Sequence, residues 1–175
     1  MRFLNKIQFL AMCKKLNYWK KQEKRWDYIS FAIDMASVLN PSSILELGNM
    51  GVSIAEESHT MDIMPMPGIN YLFDATVIPW PIADKVYDIF IALQVFEHLD
   101  DARIKQKAVF NEACRVSRSV IMSIPFMWRN SKLKNHNGIN DETVMEWCSM
   151  REPSMTKHFP GKFGRKIYFW KDVQP

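Results

Sequence analysis

The residues of this 175-residue chain best placed to do chemistry are acids that sit in or just after short apolar runs. Glu46 lies within Ile44-Leu45-Glu46-Leu47-Gly48-Asn49-Met50-Gly51, a run that passes into a loop holding two glycines. Glycine lets the backbone approach a ligand closely, and open α/β sheets bind ligands in the crevice at the carboxyl ends of their strands. The same residues also suit an ordinary strand-to-helix turn, because short glycine motifs are weak signals alone. Asp62 ends the next apolar run, where a single carboxylate can accept from both hydroxyls of a ribose. Asp74 follows a third run in Phe73-Asp74-Ala75-Thr76 and can accept from an exocyclic amine such as that of adenine. Any one of these acids could be a turn or cap residue. Three after successive runs point to one nucleoside-binding edge.

Two histidines could move protons, since imidazole titrates near neutral pH and is the commonest general base. His98 follows the fourth apolar run, in Glu97-His98, and His136 lies in the irregular segment Lys134-Asn135-His136-Asn137-Gly138. Each also reads as an unremarkable loop histidine. Tyr71, Trp80 and Trp128 could form an apolar wall, although aromatics in such a chain are usually core. No cysteine or histidine spacing suggests a metal site, and none is expected. Cys13, Cys114 and Cys148 are odd in number and far apart, so free thiols in a reducing cytosol are expected.

These residues need a scaffold, and the hydrophobic pattern supplies one. Phe3, Leu4, Ile7, Leu10 and Ala11 recur at helical spacing, as do Trp26, Ile29, Ile33, Ala36 and Leu39. Asn40-Pro41 stops the second helix. Strand-length runs follow at Ser43 to Leu47, Thr60 to Ile63, Tyr71 to Phe73, Tyr87 to Leu93 and Ser119 to Ile124. The last two are almost continuously apolar, as central parallel strands covered on both faces should be. Between them Ile104, Ala108, Val109, Ala113 and Val116 share a helical face, with Asp100 or Asp101 placed to cap it. After Pro125 come a polar stretch, a short helix from Asp141 to Cys148, and strands at Met155 to Phe159 and Lys166 to Trp170. The fold expected is a doubly wound, Rossmann-like α/β parallel sheet with a C-terminal antiparallel strand pair. It forms a single domain over residues 1–175, with helices in 1–40, the ligand-binding sheet in 41–125 and the substrate side in 126–175.

Composition narrows the class. Hydrophobic residues make up 47% and charged residues 24%, which excludes a disordered or collagen-like chain. No apolar run reaches the ~20 residues of a membrane-spanning helix, and no signal peptide is evident. The net charge of +4 suits an anionic partner without specifying one. Lys14, Lys15, Lys20, Lys21, Lys24 and Arg25, interleaved with Tyr18, Trp19 and Trp26, leave peripheral membrane contact open, with a solvated helix face as the alternative. A nucleic-acid partner is not expected, and oligomeric state is not fixed by the sequence.

From Ser43 to Pro125 the chain resembles the class I S-adenosylmethionine-dependent methyltransferases, particularly the small type 11 and type 12 groups. The matching pieces are Ile-Leu-Glu-Leu-Gly at 44–48, Met61-Asp62-Ile63, Phe73-Asp74-Ala75, Tyr87 through Leu99, and Glu112 through Pro125. The resemblance implies S-adenosylmethionine as cofactor, S-adenosylhomocysteine as product, and a small-molecule or glycan-precursor acceptor, favoured as anionic by the basic residues. It also implies that Glu46, Gly48 and Asn49 line the methionine end, that Asp62 with Ile63 holds the ribose, and that Asp74 with Ala75 meets the adenine. Leu93 and Gln94 would close over the sulfonium. Two departures stand out: Met50 and Val52 replace the second and third glycines of the family's E-x-G-x-G-x-G loop, and Gly48 to Asp62 spans only 62 − 48 = 14 positions. A complete crossover takes a dozen or more residues, so the first must be abbreviated. A non-catalytic or regulatory nucleoside-binding module is therefore the alternative. A nicotinamide-dependent oxidoreductase would want G-x-G-x-x-G, which is missing.

Overall fold

The computed structural model describes residues 1–16, 23–100, 102–161 and 163–174. The basic-segment residues Tyr18, Trp19, Lys20 and Lys21, and the capping candidate Asp101, lie outside them. Two helices precede the sheet, α1 (Lys6–Lys15) and α2 (Glu23–Val38). The Asn5 side chain accepts from the Gln8 amide while Gln8 returns a bond to the Asn5 amide, so α1 starts with a reciprocal cap. Asn40 takes φ 45 immediately before Pro41, which ends α2's run as the Asn-Pro pair predicts.

The strands are β1 (Ile44–Leu47), β2 (His59–Asp62), β3 (Tyr71–Leu72), β4 (Tyr87–Leu93), β5 (Ser117–Pro125), β6 (Met155–Phe159) and β7 (Arg165–Trp170). They form one seven-stranded sheet in the order β3-β2-β1-β4-β5-β7-β6. The first five pair in parallel and β6 and β7 form an antiparallel pair, as expected, while β7 also runs antiparallel to β5 and so joins the pair to the sheet. Side chains alternate across the pleat. Ile89 and Ile91 of β4 join Ile44 and Ile121 against Ile29 and Ile33 of α2. Phe90 and Ala92 face the other way, against Val109 and Phe110 of α3 (Gln106–Val116) and Val144 of α4 (Asp141–Trp147). Each such Ile, Val or Phe side chain contributes about 1.5–3 kcal/mol by leaving water, and two-sided burial explains why β4 and β5 read as nearly unbroken apolar runs.

The first crossover is abbreviated, as the short spacing requires: residues 48–58 contain no helix, nor do 63–70 or 73–86. The carboxyl ends of β1, β2 and β3 therefore meet loops instead of helix starts. Two details differ from expectation. Phe3 and Leu4 lie ahead of α1, with Phe3 bridging Ala55, and Ile7 is exposed while α1 buries Phe9 and Cys13. The N-cap of α3 is Lys105, with no side-chain cap bond. Asp100 instead accepts from the amides of Ala102 and Ile104, folding the turn ahead of the helix and leaving Ile104 exposed.

Candidate functional site

A cleft of about 640 Å³ runs along the carboxyl ends of β1 to β4. At its centre is Gly48, which leaves β1 with φ +66. A Cβ at this position would stand 2.7 Å from Cγ2 of Val95, so only glycine allows the two loops to close together. Asp62, at the end of β2, is 6% exposed. Its Oδ1 accepts from the Met64 amide at 2.9 Å, while Oδ2 is buried and has no partner. Asp74, just beyond β3, accepts from the Thr76 amide at 2.8 Å, and this bond holds its carboxyl below the usual range. Ile63, Ala75, Leu93 and Gln94 complete this end of the cleft. Gln94 adopts φ 63 and reaches Oγ of Ser123 at 3.2 Å.

Glu46 and Asn49 do not reach the main cleft. They line a separate pocket of about 30 Å³ beneath it, which shares Leu47, Gly48 and Leu93 with the cleft. The Glu46 carboxylate accepts from the Ile54 amide at 3.0 Å and from the Ser58 hydroxyl, with Asn49 at 3.4 Å. Burial raises its pKa to about 7 against these bonds. Its acceptors are filled by its own loop, so here it ties residues 49–58 to β1 in place of a crossover helix. Met50 stands where the resembled loop has glycine; it takes φ 55 and lines the cleft, whereas Val52 packs into the core.

At the opposite end, a 3₁₀ turn over Phe96–His98 follows β4. Glu97 is fully buried, neither carboxylate oxygen finds a partner in another residue, and burial raises its pKa to about 8. His98 is exposed at the cleft and its Nε2 lies 3.1 Å from Nε2 of His136. Burial, then the neighbouring His98 and Arg165, lower His136 to about 4. Arg165 stacks on Trp128 with its guanidinium carbon 4.7 Å from the ring centroid, and both line the cleft along with Arg25.

The structure thus brings Gly48, Asp62, Ile63, Asp74, Ala75, Leu93, Gln94, His98 and His136 to one cleft. Of the proposed aromatic wall, Trp128 is there. Trp80 is core, its indole donating to the Ala75 carbonyl, and the Tyr71 hydroxyl instead meets that of Tyr87. Arg165 also lines the cleft and was not singled out from the sequence, because β7 reaches the cleft through the sheet order and not through any local pattern.

No protein-family model matches the chain, and no curated protein matches it in sequence. Its fold does match solved structures. It is similar to the N-methyltransferase NodS from Bradyrhizobium japonicum WM9 in complex with S-adenosyl-L-homocysteine, with TM-score 0.57 and 11% identity over 95% of this chain and 98% of that one. TehB from Haemophilus influenzae gives TM-score 0.59 at 11% identity over 82% of this chain and 62% of that one. A putative type 11 methyltransferase from Sulfolobus solfataricus gives 0.53 at 15% over 75% and 85%. Sheet order, strand directions and these likenesses agree: the chain has the class I methyltransferase fold.

Proposed function

We propose that the chain is an S-adenosylmethionine-dependent methyltransferase acting on a small-molecule or glycan-precursor acceptor. The observation that carries this reading is Oδ2 of Asp62, a buried, unpartnered acceptor at the cleft that also holds Gly48 and Asp74. A buried carboxylate oxygen without a donor costs free energy, and a ribose hydroxyl would satisfy it. Bound cofactor would supply a methyl group on a cationic sulfur. The chain's residues would do the rest. Asp62 and Ile63 would hold the ribose, Asp74 and Ala75 the adenine, and Gly48, Leu93 and Gln94 the methionine end. Glu46 and Asn49 would act beneath them by fixing the loop. Alignment supplies much of the rate in such a transfer. His98 and His136 would take a proton from an acceptor hydroxyl, and Arg25 and Arg165 would favour an acceptor with an anionic group. Three buried, unbridged cysteines support a reducing, cytosolic setting. NodS binds S-adenosyl-L-homocysteine, which supports the same ligand here.

A regulatory nucleoside-binding module is the second reading, favoured by Met50 at φ 55 with its side chain at the cleft. Calorimetry of the purified chain against S-adenosylmethionine, S-adenosylhomocysteine and NADH tests both. Tight binding of the two sulfur nucleosides is expected, and methylation of any acceptor would separate enzyme from module. Binding of NADH alone would remove the proposal.

A further inference from the structure

We propose that Glu97, His98 and His136 form a binding site for a divalent transition-metal ion such as Zn²⁺ at the far end of the cleft. One ligand atom from each lies within 4.8 Å of the others. The set is two imidazole nitrogens and one carboxylate, which suits Zn²⁺, Fe²⁺ or Co²⁺ far better than the hard ions Mg²⁺ and Ca²⁺. The 3.1 Å Nε2···Nε2 separation matches two imidazoles sharing one ion. With metal–nitrogen bonds of about 2.1 Å it corresponds to a nitrogen–metal–nitrogen angle of about 95°.

A second observation points to a cation. Glu97 is 0% exposed and both its oxygens lack a partner in another residue. Buried carboxylates are normally satisfied by donors or by a metal. Arg25 and Arg165 act on it electrostatically but give it no hydrogen bond. Because these two cations oppose a bound ion, coordination by the imidazoles has to supply the affinity, which again selects a nitrogen-preferring metal.

The ligands are also held in place. Asn135 donates to the Glu97 carbonyl at 2.7 Å and approaches Nδ1 of His98 at 3.3 Å, clipping the 3₁₀ turn to the loop that carries His136. Arg103 donates to the carbonyls of Asn135 and Asn137 at 2.9 and 2.7 Å and fixes that loop from its other side. Trp128 packs its ring 5.2 Å from that of His136. Loading the ion would replace the bond between the two rings and put the proton of each on Nδ1; at His98 that proton ends the approach of the Asn135 amide and leaves its bond to the Glu97 carbonyl as the clip. Three protein ligands leave open positions facing the cleft. An acceptor hydroxyl held there would give its proton to water more readily, as metal-bound water does. That consequence rests on the methyl-transfer reading; the ion site does not.

The test uses the full chain, stripped with a chelator and dialysed. Zn²⁺ is followed by calorimetry, Co²⁺ by its visible ligand-field bands, and Mg²⁺ serves as the hard-ion comparison. One Zn²⁺ per chain is expected, with Co²⁺ bands that Zn²⁺ abolishes and Mg²⁺ does not. Glu97→Gln and His98→Ala should each weaken Zn²⁺ binding at least tenfold, and His158→Ala, on the exposed strand β6, should leave it unchanged. His98 is exposed, so His98→Ala should keep the fold, which a circular dichroism spectrum checks. Absence of saturable one-to-one Zn²⁺ binding, or equal affinity in His98→Ala and the parent, would overturn the site. A parallel titration with S-adenosylhomocysteine separates the two ideas: zinc without the nucleoside keeps the ion site and sinks the methyl-transfer reading, and the nucleoside without zinc does the reverse.

Discussion

The two ends of the cleft handle charge in opposite ways. At the β1–β3 end, Asp62 and Asp74 each accept from the amide two residues on, Met64 and Thr76, so the backbone itself holds their carboxylates. At the other end Glu97 is buried with no such donor, and burial moves it up to about 8 while His136 moves down to about 4. Tight turns after strands supply amides, and a 3₁₀ turn driven into the core supplies few. The first end thus holds its carboxylate acceptors in fixed positions at the cleft. The second disfavours charge on its own groups and awaits a proton or a cation from outside.

Breaking the hinge between the ends should have the largest effect. Gly48→Ala places a methyl 2.7 Å from Val95 Cγ2 at φ +66, and Val95 leads into the turn that bears Glu97. Thermal unfolding should report a loss of about 3 kcal/mol, with nucleoside binding lost as well. Asp62→Ala should sharpen the comparison by weakening S-adenosylhomocysteine binding by about 2 kcal/mol, roughly thirtyfold, with zinc affinity untouched. An unchanged nucleoside affinity would make Asp62 a turn residue only.

Glu46 gives a pH signature. Its folded pKa, raised to about 7, lies above its ordinary 4.5. Between these values the folded chain binds more protons than the unfolded one. Its contribution is therefore fully present below pH 4.5 and is lost as pH rises through 7. The slope is at most about 1.4 kcal/mol per pH unit, and Glu46→Gln should flatten that part of a melting-temperature profile taken without metal. Persistence of the full slope in Glu46→Gln would assign it to other groups. The smallest effect is expected from Asp74→Ala, at about 1 kcal/mol or less in nucleoside affinity, because this carboxylate is only half-buried.

Much of the sheet was legible in the chain because its signals are local. Burial on both faces made β4 and β5 continuous apolar runs, and β4 matches its expected bounds at Tyr87–Leu93. Asn40-Pro41 ended α2 through backbone sterics alone. The 14-position gap forced the absence of a first crossover helix by length. The position of Asp62 and Asp74 on one edge followed from parallel pairing, since parallel neighbours put their carboxyl ends together. The role of Glu46 was less legible: an acid inside a strand can face a ligand or its own loop, and the Ile54 amide and Ser58 hydroxyl decide for the loop.

The sequence by itself determined where the strands lie along the chain, the parallel direction of the first five and the row of acids at their ends, because those depend on apolar periodicity and on spacing between near neighbours; the sheet order, with β7 between β5 and β6, came from tertiary pairing. Only the tertiary structure brought Glu97 and His98 against His136, 38 positions from His98, and laid Arg165 from the last strand across Trp128. It alone also decided the protonation of these groups, since burial is a property of the whole packed molecule and is written in no single segment.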